Sequence, residues 1–189
     1  RRMERLLLES QLHEAIARDE LRVFYQPQLD LRTRETVGVE ALVRWQHPRH
    51  GLLEPDAFVP LAEESGLIVE VDAWVRRHAF SAAARWASTR AGLRVAVNVS
   101  ARDLMKPRFA DELAVEIREA GLDPALVELE ITDRVTLEDD ALASAVTDLS
   151  DLGVRLAIDD FGTGTSVLGR LHEWPLHTLK IDRRFVRDV

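Results

Sequence analysis

Five apolar runs in this 189-residue chain end in, or are interrupted by, a side chain able to bind a cation or move a proton. Glu40 lies within Val37 to Leu42, Asn98 ends the run from Val95, and Glu130 ends the run from Val127. Asp159 and Asp160 close the run from Leu156, and Lys180 follows Leu179. Successive members are 58, 32, 29 and 21 residues apart, and about 30 residues make one strand–helix unit. The spacing therefore predicts delivery to one end of neighbouring parallel strands, the end where α/β folds bind ligands. Several carboxylates buried together are costly unless a cation neutralises them. Glu40, Asn98, Glu130, Asp159 and Asp160 form an all-oxygen set suited to a hard ion such as Mg²⁺, Mn²⁺ or Ca²⁺. The adjacent aspartates suggest two ions sharing a site. A lone acid at a strand end is as often a cap or a turn residue, so the ordered set carries the argument.

Lys180 is one of only two lysines against 23 arginines and falls on an apolar strand. It reads either as the partner of a carboxylate and of a water or phosphoryl oxygen, or as a structural ion pair. Arg44 could clamp a phosphate in a bidentate manner or pair with a neighbouring acid. The stretch from Asp160 to Gly164 suits a loop that closes over a ligand, although an ordinary tight turn has the same composition. His47, His50, His172 and His177 sit beside prolines without ligand spacing, and His78 falls on an apolar helical stripe as a core histidine. There is no P-loop and no nucleophile elbow.

Positioning such a set requires an alternating framework. Residues 3–20 place Leu8, Leu12, Ala15 and Ile16 at helical spacing, as an entry helix or the tail of a linker from an upstream domain. Two strands, 23–31 and 36–45, flank a polar turn at 32–35 too short for a parallel crossover, so they pair antiparallel. A short helix covers 55–66, with proline near its start and glycine at its end. The next helix carries Val71, Trp74, Val75, His78, Ala79, Ala82 and Trp86 on one stripe. Strands at 94–99, 126–131, 154–159 and 178–182 then alternate with helices at 103–120 and 136–152 and with a glycine-containing loop and short helix. Six strands with amphipathic helices between them indicate an α/β fold, either open and doubly wound or closed as a barrel.

Composition narrows the function classes. Apolar residues at 46% and charged residues at 31% exclude a disordered chain. The net charge of −8 disfavours general nucleic-acid binding and leaves small anionic substrates open if metal ions supply positive charge. Having no cysteine, the chain has no disulfide, thiolate catalysis or Cys-based metal site. With no apolar run of spanning length and no signal-peptide pattern, a cytoplasmic protein without membrane contact is expected.

Glu40-Ala41-Leu42 with Arg44 resembles the signature of the EAL-domain family, the cyclic di-GMP phosphodiesterases. Tyr25-Gln26-Pro27, the segment from Pro55 to Ile68, Asn98-Val99-Ser100, Glu128 to Thr132, Asp159 to Gly164 and Leu179 to Asp182 follow in family order. The resemblance implies a TIM-barrel-like fold with its first strand antiparallel. It implies Mg²⁺- or Mn²⁺-dependent hydrolysis of cyclic di-GMP to linear pGpG. Carried over by position, Glu40, Asn98, Glu130 and Asp159 ligate metal, Asp160 serves a second ion, and Lys180 holds the attacking water or a phosphoryl oxygen. Gln26, Leu42 and Arg44 contact the nucleotide. Asp133 stands where the family usually has a glutamate that steadies the loop after Asp160, and Thr165 replaces the usual tyrosine. These departures leave a catalytically degenerate cyclic di-GMP receptor as the alternative. The family also implies a homodimer and an upstream sensor or GGDEF-type domain, with residues 1–20 as entry and 21–189 as the phosphodiesterase domain. A full barrel needs about 250 residues, so the chain is expected to lack the last strands of the barrel and, alone, to be weak or inactive.

Overall fold

In a computed structural model, residues 2–132, 140–162 and 174–186 are described. Helix α1 (Arg2–Ala17) precedes β1 (Leu21–Leu29), β2 (Thr36–His47) and β3 (Gly51–Leu53). Helices α2 (Pro55–Ser65) and α3 (Ile68–Ala87) lead to β4 (Arg94–Val99). Then come α4 (Ala101–Leu104), α5 (Phe109–Ala120), β5 (Val127–Thr132), α6 (Asp140–Asp151), β6 (Arg155–Phe161) and β7 (Thr178–Ile181). The strands form one sheet in the order β1-β2-β4-β5-β6-β7, with β3 paired to β2. β1 and β3 run antiparallel to β2 and all other pairs are parallel. The antiparallel first strand is as expected from the short turn, which Asp30 closes by accepting the N–H groups of Arg32 and Thr33 at 2.8 and 3.0 Å. Among the described residues no ladder joins β1 to β7, so the sheet is a barrel-like arc and not a closed cylinder.

Strand alternation sorts the side chains. Val39, Ala41, Trp45, Val95, Val97, Val99, Val127, Leu129, Ile131, Leu156 and Ile158 all turn towards the helices and are buried. At about 1.5–3 kcal/mol for each large side chain removed from water, this layer is the main stabilising contribution. From α1 it takes Leu12 and Ala15, and from α3 Val71, Trp74, Val75, Ala79 and Ala82. The opposite parity, facing the inside of the arc, holds the polar set: Glu40, Asn98, Glu130, Asp159 and Lys180. Gly38 allows β1, β2 and β4 to approach there, since a Cβ would stand 2.8 Å from Gln28 Oε1 and 3.3 Å from the Arg94 carbonyl oxygen.

Three features differ from the sequence-based expectations. A seventh strand, β3, is present; three residues are too short to show a period. The helix expected over 103–120 is two helices, because Pro107 has no N–H to donate and crowds the preceding turn. Arg108 then takes a left-handed φ of 65° before α5 begins. His78 is exposed and not in the core: its ring stacks on Trp74 at 3.7 Å, and its Nδ1 lies 2.8 Å from the Trp74 carbonyl. The short helix expected before β7, together with Asp133, Thr165 and His172, lies outside the described residues. No helix among the described residues is long and apolar enough to cross a membrane.

Candidate metal centre and substrate cleft

Register gathers the polar set. Gln26 pairs with Glu40 across the hairpin, Ala41 with Val97, Asn98 with Glu130, Thr132 with Asp159, and Ile158 with Leu179. One carboxylate oxygen each from Glu40, Glu130 and Asp159 lies within 4.8 Å of the other two. Lys180 Nζ sits among them, donating to Glu130 Oε2 at 2.6 Å and Glu40 Oε2 at 3.0 Å, and lying 3.3 Å from Asp159 Oδ2. Asn98 Nδ2 donates to Glu40 Oε1 at 3.4 Å.

The electrostatics follow from three acids sharing one cation. Glu130 is fully buried, and burial, followed by the charge of Glu40, raises its pKa to about 8 against the pull of Lys180. For Lys180, burial opposes the charge, but Glu130 and Glu40 outweigh it and hold the amine protonated well above the usual lysine range. Among the described residues, Oε1 of Glu130 is buried without a hydrogen-bond partner. An orphaned carboxylate oxygen beside two further acids fits a divalent cation: the donors are hard oxygens, and an ion would satisfy the atom that the fold leaves unpaired.

The other expected residues are placed as follows. Asp160 lines the cleft with a left-handed φ of 55° and donates its N–H to Asp159 Oδ1 at 2.9 Å, but it is not part of the three-carboxylate group. Leu42 also lines the cleft. Gln26 is exposed opposite Glu40. Arg44 shares Glu40's parity, but its Nε pairs with Glu54 at 2.8 Å and its guanidinium lies 5.6 Å from the Phe24 ring centroid. Of the two readings of Arg44, the ion pair is the contact made here.

The cleft has a volume of about 530 Å³ and runs from this cluster between α2 and α3. Its walls include Val59, Pro60, Ile68 and Val71, with Asp56 and Glu63 at its side. Sequence reasoning missed Asp72, also in its lining, whose Oδ2 accepts the Ser100 N–H at 2.9 Å. Burial raises the Asp72 pKa to about 7 despite the hydrogen bonds from Ser100. The available signal was an acid and a base four residues apart, Asp72 and Arg76, on the buried side of a helix.

Known proteins similar to this chain carry informative names. PdeR of Escherichia coli, named a cyclic di-GMP phosphodiesterase, is 40% identical over 187 residues, 98% of this chain and 28% of its own length. NbdA of Pseudomonas aeruginosa, named likewise, is 41% identical over 191 residues, 100% of this chain and 24% of its own length. The solved structure of the PaMucR phosphodiesterase in complex with c-di-GMP superposes with a TM-score of 0.91 at 38% identity, covering 96% of this chain and 74% of that one. The chain spans less than a third of the length of the curated relatives it matches. The family model for the EAL domain matches residues 9–189. With that match over nearly the whole length, and with the strand-end acids gathered on one face of the arc, the chain belongs to the EAL domain family.

Proposed function

We propose that this chain is the phosphodiesterase domain of a protein that hydrolyses one phosphodiester of cyclic di-GMP, giving linear pGpG. The observation that carries the reading is the convergence of Glu40, Glu130 and Asp159 around Lys180 beside the cleft. The names of similar proteins support the substrate. Glu40, Asn98, Glu130 and Asp159 would hold a first Mg²⁺ or Mn²⁺, with Asp160 serving a second. Bound there, such ions offset phosphate charge and lower the pKa of a water. Lys180, held protonated, would orient the attacking water or a phosphoryl oxygen. Leu42 supplies an apolar contact in the cleft, Gln26 stands opposite Glu40 for a polar one, and Arg44 reaches a phosphate by exchanging its partner Glu54, a side chain largely in water. Asp133 would steady the loop after Asp160. In this reading residues 1–20 lead in from an upstream sensor or GGDEF-type domain, 21–189 form the catalytic domain, and the whole works as a cytoplasmic homodimer.

The test is chromatography of the full-length protein incubated with cyclic di-GMP, with and without Mg²⁺ or Mn²⁺. Ion-dependent pGpG release is expected. Nucleotide binding with no release under either ion would refute hydrolysis and favour the receptor reading that Asp133 and Thr165 suggest.

A further inference from the structure

We infer that Asp72, Arg76 and Asp103 are positioning residues for Asn98, fixing from α3 and α4 the turn at Ser100 that closes β4, the strand whose end carries the Asn98 amide into the candidate metal centre; this rests on the metal-ligand reading above. Among the described residues Asn98 makes one side-chain bond, a long one of 3.4 Å to Glu40, too weak to set its orientation alone. Its placement has to come from the backbone, which the β5 ladder holds at Asn98 opposite Glu130, and which is held again on two sides just beyond the strand. Asp72 accepts the Ser100 N–H at 2.9 Å, and Ser100 Oγ accepts the Asp103 N–H at 3.2 Å, capping α4. Asp103 is in turn ion-paired to Arg76, and Arg76 donates through Nε and Nη2 to the two carboxylate oxygens of Glu116 on α5, at 2.8 and 3.4 Å. The Phe109 ring centroid lies 5.0 Å from the guanidinium carbon.

Packing alone does not call for this arrangement. Arg76 is 1% exposed and Asp103 0%, and apolar residues of similar volume commonly do as well or better than a buried ion network. What charge adds is direction: it ties the four-residue α4, which begins three residues after Asn98, to α3 and α5 at one setting. Partners behind a metal ligand typically change metal affinity by about 10–100-fold when lost.

The test measures Mn²⁺ binding by electron paramagnetic resonance in the full-length protein without nucleotide, with thermal melts reporting the fold. Asp72→Asn keeps an acceptor for the Ser100 N–H and should bind Mn²⁺ within about twofold of wild type. Asp72→Val should weaken binding about tenfold. The double variant Arg76→Met with Asp103→Leu leaves Glu116, which is partly open to water, without its partner, so it should melt somewhat lower than wild type yet remain folded and also bind about tenfold more weakly, and it decides the matter if Asp72→Val does not fold. A folded double variant with wild-type Mn²⁺ affinity overturns the inference. If wild type takes up no Mn²⁺, the metal reading falls, and positioning is read from the Asn98 side-chain amide resonances. Sharp signals in wild type and Asp72→Asn with broadened ones in the double variant support it, and unchanged signals in the double variant overturn it.

Discussion

Replacing Lys180 with methionine tests whether the cluster is built around a cation. The lysine Nζ lies 2.6, 3.0 and 3.3 Å from three carboxylates, and one of its partners, Glu130, is fully buried. Removing one member of a buried pair generally costs about 3–5 kcal/mol, because the other is left uncompensated. Here the low end applies, about 3 kcal/mol, since Glu130 already has a pKa near 8 and can take up a proton instead of staying charged. For a chain of this size that is a fall in Tm of roughly 6–12 °C. The assay is thermal melting at pH 7, with and without Mn²⁺. A divalent ion at about 100 times its Kd returns roughly 2.7 kcal/mol, so Mn²⁺ should raise the variant's Tm and recover most of the loss. The proton linkage has a definite sign. Between the unperturbed carboxyl value of 4.5 and about 8, the folded chain holds a proton on Glu130 that the unfolded chain has released. Stability without metal therefore declines as pH rises through that window, and in the variant, where the pull of Lys180 on Glu130 is gone, the decline extends to higher pH. A metal-free Lys180→Met protein as stable as wild type at pH 7 and above would refute the reasoning.

Three further outcomes are expected. Glu40→Ala removes a carboxylate of the cluster and should lower metal-dependent pGpG release by on the order of 100-fold or more; unchanged turnover would remove Glu40 from the ligand set. Asp72→Asn should flatten the pH dependence of stability: the Asp72 pKa stands at about 7 against 3.8, so the folded chain loses up to about 4 kcal/mol as pH rises across that interval. Urea titrations at pH 4.5 and 8 measure it, and an unaltered slope would count against that pKa. Gly38→Val should cost about 1–3 kcal/mol by overpacking, since Arg94 backbone stands 3.3 Å from the first added carbon; denaturant melts showing no loss would contradict the close approach.

Local patterns carried a good deal of this molecule. Short apolar runs between polar turns and helical stripes located every long strand, the four-residue turn made β1 antiparallel, and the spacing of the strand-end acids pointed to one end of neighbouring parallel strands. What escaped was either short or non-local. β3 has too few residues for a period, while the break at Pro107 had a signal that the helical stripe around it concealed. The bond from Ser100 to Asp72 and the ion pair of Arg44 with Glu54 join residues from different elements, and no spacing rule brings those partners together. His78 misled because it sits at helical intervals from Trp74 and Val75, yet its ring lies over the Trp74 face at the surface.

Because Glu40, Asn98, Glu130, Asp159 and Lys180 come from five different strands of one parity, their meeting depends on every ladder between them. A slip of one residue in any pair would turn that strand's polar side chain out among the helices and bring an apolar one inward. Metal uptake at this cluster would thus double as a check on chain assembly: a misregistered sheet would lack the coordination shell, forgo the stabilisation of a bound ion, and stay the less stable species in the folding population.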